Sequence, residues 1–233
     1  MITDKHLEKI KEYVAENQAN SPLYTEKHVF PAAEIGRDFF EGYENPDQRN
    51  IVIAGLLLHD IGYHKNYESN ESDHIVRGME IAKGLLRKIG VIFNDSRVID
   101  TIRTHDGMLE KNSPLENYVV NDADQVAVFK EISWGYHLSR AAFGMSHERA
   151  LMGCVQEVWK SYNQVMRLKI MKDKYTGDYK LAKQWLSCQV KNIDPELLAE
   201  NLPEEDFIDT WKFFVSDILD EKQRDSLYSF KIR

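Results

Sequence analysis

The chain has 233 residues, with 30 Lys and Arg against 38 Asp and Glu, a formal charge of −8 and a pI near 5.5. All of that charge lies in residues 1–125, which hold 14 basic and 22 acidic side chains, while residues 126–233 are balanced. Such a chain repels polyphosphate, which excludes extended nucleic acid and an anionic membrane surface as partners.

The longest aliphatic run, Ile51–Leu58, falls far short of the ~20 residues that cross a bilayer. The opening MITDKHLEKI is charged and has no secretory apolar region. Cys154 and Cys188 form no metal-type pair, so both read as buried free thiols of a reduced, cytoplasmic protein. At 42% hydrophobic, the chain can bury a substantial core.

In chain order, Thr3-Asp4 caps a first helix carrying Leu7, Ile10 and Val14 at helical spacing. A second helix is predicted over 25–40, with Pro31 in its first turn or at a kink. After Asn45-Pro46-Asp47 comes an apolar helix that ends at His59-Asp60-Ile61-Gly62. Residues 63–72 read as a polar loop. Ser72-Asp73 then caps a helix with Ile75, Met79, Ala82, Leu85 and Leu86 on one face, and Asn94-Asp95-Ser96 starts another with Val98, Ile99 and Ile102. Pro114 opens a helix through Phe129. Beyond it, 146–172, 177–192 and 204–220 read as long amphipathic helices, and Trp134, Trp159, Trp185 and Trp211 as core. The expected fold is therefore all-α, with a soft boundary near 130–145 dividing residues 1–130 from a helical extension over 131–233.

Five of the eight histidines fall between residues 28 and 105. The doublet His59-Asp60 ends a very apolar helix, where an imidazole beside a carboxylate is costly unless something satisfies it. A divalent metal does so, since His offers a neutral nitrogen and Asp offers charge and oxygen. His28 lies in the preceding amphipathic segment. Asp122 and Asp124 stand mid-helix between valines, a place unfavourable by propensity and by burial.

In this order His28, His59-Asp60 and Asp124 resemble the H…HD…D signature of the HD-domain metal-dependent phosphohydrolase superfamily. The flanking segments AGLLLHDIGY, SDHIVRGMEIAKGLL and VVNDADQV are similar to the family's text, and the resemblance covers roughly residues 20–130. It implies a compact multi-helix bundle in which His28, His59, Asp60 and Asp124 bind metal. His74 and His105 complete the H…HD…H…H…D order of dinuclear members, in which Asp60 bridges two ions. Asp60, His74 and His105 would then be the catalytic groups, and Asp122 would either support the ligands or face substrate. Lys65, Arg77 and Arg103 lie near the site in sequence and could hold a substrate phosphate. Mixed His and carboxylate ligation suits Mn, Fe, Co, Ni or Zn, as one or two ions. Two metals ~3.5–4 Å apart activate water and clamp a phosphoryl group for in-line attack. Two departures argue against cyclic-dinucleotide hydrolysis of the HD-GYP type: Tyr63 stands where those enzymes have Lys, and Met-Leu-Glu follows Gly107 in place of their GYP loop.

The leading expectation is a metal-dependent phosphohydrolase acting on a nucleotide or small phosphate ester. The same ligand order also occurs in mixed-valence di-iron oxygenases of the superfamily. A third reading is a non-catalytic module with a structural metal, whose second half binds a partner. A homo-oligomer is open on any of the three. The net acidity does not oppose a small anionic substrate, because one or two divalent cations would cover the charges of Asp60 and Asp124.

Overall fold

The computed structural model describes residues 1–17, 25–43, 45–63, 71–91, 95–203 and 207–230. Among these residues every regular element is helical, as the periodicity predicts. None of the described helices is long and apolar enough to cross a membrane. The chain divides into two compact units, Met1–Ala127 with Val165–Met171 and Val128–Gln164 with Lys172–Arg233.

The first unit is built on α3 (Pro46–Leu58). Asn45 caps it by accepting a hydrogen bond from the Gln48 amide at 3.2 Å, and every residue from Asn50 to Leu58 is buried. A helix apolar on all sides must be surrounded. Here α1 (Asp4–Asn17), α2 (Phe30–Phe39) and α5 (Asp95–Thr104) pack on it. The crossing with α5 is close because position 55 is glycine; a Cβ there would run into the Thr101 hydroxyl. Helix α4 (Glu71–Lys88) packs on α5. Arg97 of α5 then ties together the first turns of α3 and α6 (Leu115–Lys130), through Asp47 at 3.0 Å and Glu116 at 2.7 Å.

The helix predicted over 25–40 is split. A π-helical turn, Thr25–Val29, precedes α2, and Pro31 falls in the first turn of α2, where its missing N–H breaks no intrahelical bond. The expected caps at Ser72-Asp73 and Asn94 lie outside the residues whose side chains are described.

The second unit departs further from the sequence reading. Helix α7 (Ile132–Phe143) occupies the region read as a boundary. The helix expected over 146–172 ends early: α8 (His147–Lys160) gives way to a π turn, Ser161–Val165, and α9 runs Lys169–Val190 instead of starting at 177. The break has a tertiary cause, since the amides of Arg167 and Leu168 donate to Asp122 rather than to carbonyls of a preceding turn. A short α10 (Pro195–Glu200) follows. The last predicted helix is α11 (Phe207–Phe213), widening into a π turn over Phe214–Ile218 before α12 (Glu221–Phe230).

All four tryptophans are half-buried rather than core, in keeping with an indole that carries both bulk and a donor. The buried aromatics of this unit instead include Phe129, Tyr179, Phe213 and Phe214, with half-buried Tyr162 stacked on Tyr179 at 3.9 Å. Cys154 is buried, as expected, but Cys188 is exposed.

Candidate metal centre

Six side chains from five elements of the first unit converge. His28 comes from the π turn before α2, His59 and Asp60 from the end of α3, and His74 from the first turn of α4. His105 follows α5, and Asp124 lies mid-way along α6. The most exposed of the six, His28, is 8% accessible. Burying six titratable groups together is costly unless their charges and hydrogen-bonding atoms meet.

They meet in two sets that share Asp60. In the first, His28 Nε2 lies 3.2 Å from His59 Nε2, 3.5 Å from Asp60 Oδ2 and 3.0 Å from Asp124 Oδ1. His59 Nε2 is 3.0 Å from Asp60 Oδ2 and 3.4 Å from Asp124 Oδ1. In the second, Asp60 turns its other oxygen, Oδ1, toward His74 Nε2 at 3.7 Å and His105 Nε2 at 3.6 Å, and those nitrogens are 3.4 Å apart. Donors ~2.1 Å from a transition metal stand ~3.0 Å apart along an octahedral edge and ~3.4 Å along a tetrahedral one. Both sets have spacings on that scale, so these residues can hold one ion each, with Asp60 shared.

Two of the histidines are aimed by the helices they end. His59 Nδ1 donates to the Leu56 carbonyl at 2.7 Å, and His105 Nδ1 donates to the Ile102 carbonyl at 2.6 Å. Carbonyls at a helix end are free to accept, and fixing the proton on Nδ1 leaves Nε2 as the ligand atom.

The electrostatics call for a cation. Burial alone would lower the pKa of His28, but hydrogen bonds to Asp124 and Asp60 outweigh it and raise it to about 8. Against its own burial, His59 is held well above its ordinary value by the charge of Asp60 and bonds to Asp124 and Asp60. Burial would push both carboxyls up, yet the imidazoles hold Asp60 and Asp124 well below the ordinary carboxylate range. Protonating both His28 and His59 would point two N–H groups at each other across 3.2 Å. A divalent cation supplies the positive charge and lets every nitrogen present a lone pair.

The residues expected to face substrate have the following surroundings. Asp122 is buried and accepts from the amides of Arg167 at 2.9 Å and Leu168 at 2.7 Å. It anchors the returning segment of the chain. Arg103 forms a surface pair with Asp100 at 2.7 Å. Arg77 donates through Nε to the Gly62 carbonyl at 2.9 Å. Lys65 lies outside the described residues.

Two residues near the centre escaped the sequence reading. Asn121 accepts from the Gly107 amide at 3.1 Å, just past His105, and donates to the Val165 carbonyl at 3.1 Å. Its position beside Asp122 in an apolar helix was the available signal. Tyr63 stacks on His74 with ring centroids 4.1 Å apart; nothing in the sequence signals that contact, because a ring stack leaves no mark in the local pattern.

Residues 25–128 match the family model of the HD domain. That span contains all six converging side chains. No curated protein and no solved structure matches the chain.

Proposed function

On the premise that this chain carries an HD domain, a member of a metal-dependent hydrolase superfamily, we propose that it is a dinuclear metal-dependent phosphohydrolase acting on a nucleotide or small phosphate ester. The observation that carries the reading is the division of Asp60, with Oδ2 turned to His28 and His59 and Oδ1 to His74 and His105. A carboxylate arranged in this way suits two cations held side by side.

In this reading His28, His59 and Asp124 would hold one ion, His74 and His105 would hold the other, and Asp60 would contribute an oxygen to each. Bound divalent metal supplies the Lewis acidity that activates water and neutralises a phosphoryl group. The chain's own contribution is placement. Helix-end carbonyls fix the Nε2 faces of His59 and His105, and near-complete burial of the ligands strengthens every charge interaction among them. The two carboxylates offset part of the cationic charge, and the remainder attracts an anionic substrate.

The test is turnover of a panel of nucleotides and phosphate monoesters by metal-free protein reloaded with Mn, Co, Ni or Zn. Phosphate release that requires metal supports the reading. Two bound ions with no turnover under any metal overturns it. The same donors accept iron, so iron-loaded protein is assayed in parallel, where substrate-dependent oxygen uptake would favour the oxygenase. Metal held with no coordination position open to water or phosphate would favour a structural module.

A further inference from the structure

We propose that Tyr63 is a positioning residue for the second metal subsite, acting through a flat ring stack on His74. The inference rests on the dinuclear reading above and names a device within that site. The Tyr63 and His74 rings are parallel to within 6° at 4.1 Å. Contacts among the clustered imidazoles are all edge-on: His28 with His59 at 61°, His59 with His105 at 72° and His74 with His105 at 73°. The Nε2 atoms approach within two pairs, His28 with His59 at 3.2 Å and His74 with His105 at 3.4 Å, while Tyr63 covers a face of His74. A parallel stack resists tilting of the imidazole plane and leaves the Nε2 edge directed at Asp60 Oδ1 and His105.

The backbone makes Tyr63 a suitable anchor. Its amide donates to the Asp60 carbonyl at 3.1 Å, so Tyr63 belongs to the same tight turn as the bridging carboxylate. Gly62, between them, lies directly against α4; a Cβ there would collide with the His74 carbonyl and the Gly78 amide. Arg77, one turn along α4 from His74, closes the join by donating to the Gly62 carbonyl at 2.9 Å. The turn carrying Asp60 and the helix carrying His74 are thus fastened by the Gly62 packing, by Arg77 and by the Tyr63 ring. The Tyr63 ring rests on a ligand side chain, that of His74.

His74 stands in a backbone setting different from that of its neighbours. His59 and His105 stand at helix C-termini, where free carbonyls take their Nδ1–H. His74 stands in the first turn of α4, where the free backbone groups are N–H donors. A ring face can orient an imidazole without a backbone acceptor.

The experiment titrates full-length, metal-free protein with Co²⁺. It follows stoichiometry and the visible absorption of each site for the unmodified protein, Tyr63→Leu and Tyr63→Phe. We expect two ions in the unmodified protein. Tyr63→Leu weakens the second ion about 10–100-fold, the scale of losing a group that orients a ligand, and leaves the first within about twofold. Tyr63→Phe keeps both affinities and both absorption bands, because the ring and not the hydroxyl does the orienting. Tyr63→Leu with both affinities unchanged overturns the proposal and leaves the dinuclear reading standing. Equal weakening of both ions in Tyr63→Leu, or a Tyr63→Phe defect as large as that of Leu, also overturns it. One ion in the unmodified protein overturns the dinuclear reading, and this inference with it.

Discussion

The two halves of the candidate centre are built from the same residue types but not with the same charge. The first set has two histidines, one oxygen of Asp60 and Asp124, with separations from 3.0 to 3.5 Å. The second has two histidines and the remaining oxygen of Asp60, with separations from 3.4 to 3.7 Å. The raised imidazoles of His28 and His59 and the depressed carboxyl of Asp124 belong to the first. Two carboxylates against one shared oxygen make the first set the stronger cation trap. The second depends more on how accurately its histidines are aimed.

The largest effect should come from removing what both sets share. Asp60→Ala is expected to lower bound metal from two ions to none, with activity falling ~10³-fold or more, the scale of losing a principal electrostatic group. Elemental analysis and phosphate release check it, and a variant that still binds two ions would break the bridging assignment.

Next is His105→Ala, which should remove only the weaker ion and leave the first at its original affinity. Loss of both ions would show that the sets are not separable.

A third prediction separates holding metal from holding the chain. Asp122→Ala leaves the Arg167 and Leu168 amides without their carboxylate acceptor. We expect about 3 kcal/mol of lost stability, from two hydrogen bonds to a charged acceptor. Metal stoichiometry of the folded variant should not change. Denaturant unfolding and metal analysis on the same sample distinguish this from a ligand role.

The fourth concerns pH. A divalent ion entering the first set displaces the proton of His28, whose pKa is raised to about 8. Affinity should therefore climb as pH rises toward 8, by up to about tenfold per unit for this proton. The sign reverses for the metal-free protein. Stability from the raised His28 pKa is fully present below its ordinary value of 6.5 and is lost as pH rises through about 8. Calorimetric proton release on metal binding and thermal unfolding of the metal-free form, both from pH 6 to 9, check the two directions.

The smallest effect is expected outside both sets. Arg103 pairs with Asp100 at the surface, and such a pair contributes about 0.5 kcal/mol. Arg103→Ala should change unfolding by no more than that and leave KM unaltered. A large rise in KM would return Arg103 to the substrate site.

Much of this was legible in the sequence because the signals were local. Helical periodicity, the Asn45 cap and the aliphatic run before His59 each depend on residues a few positions apart. The ordered His and Asp residues stood out because carboxylates and imidazoles in apolar helices need partners. Asp122 shows where such reasoning stops. Its flanking valines established burial, but could not tell a ligand from an anchor, since both are buried carboxylates. The same contact broke the helix read over 146–172, because amides donated to a side chain 45 residues away carry no mark in the local pattern.

The sequence by itself determined an all-helical chain, the six chemically suited side chains and the order in which they occur. Tertiary structure alone decided that Asp60 divides its two oxygens, that Val165–Met171 returns to the first unit, and that Tyr63 lies on His74. The physical reason is range. Residue type and helical period are written within a few turns, whereas the direction of a carboxylate or the face of an imidazole is set by whichever distant elements close around it.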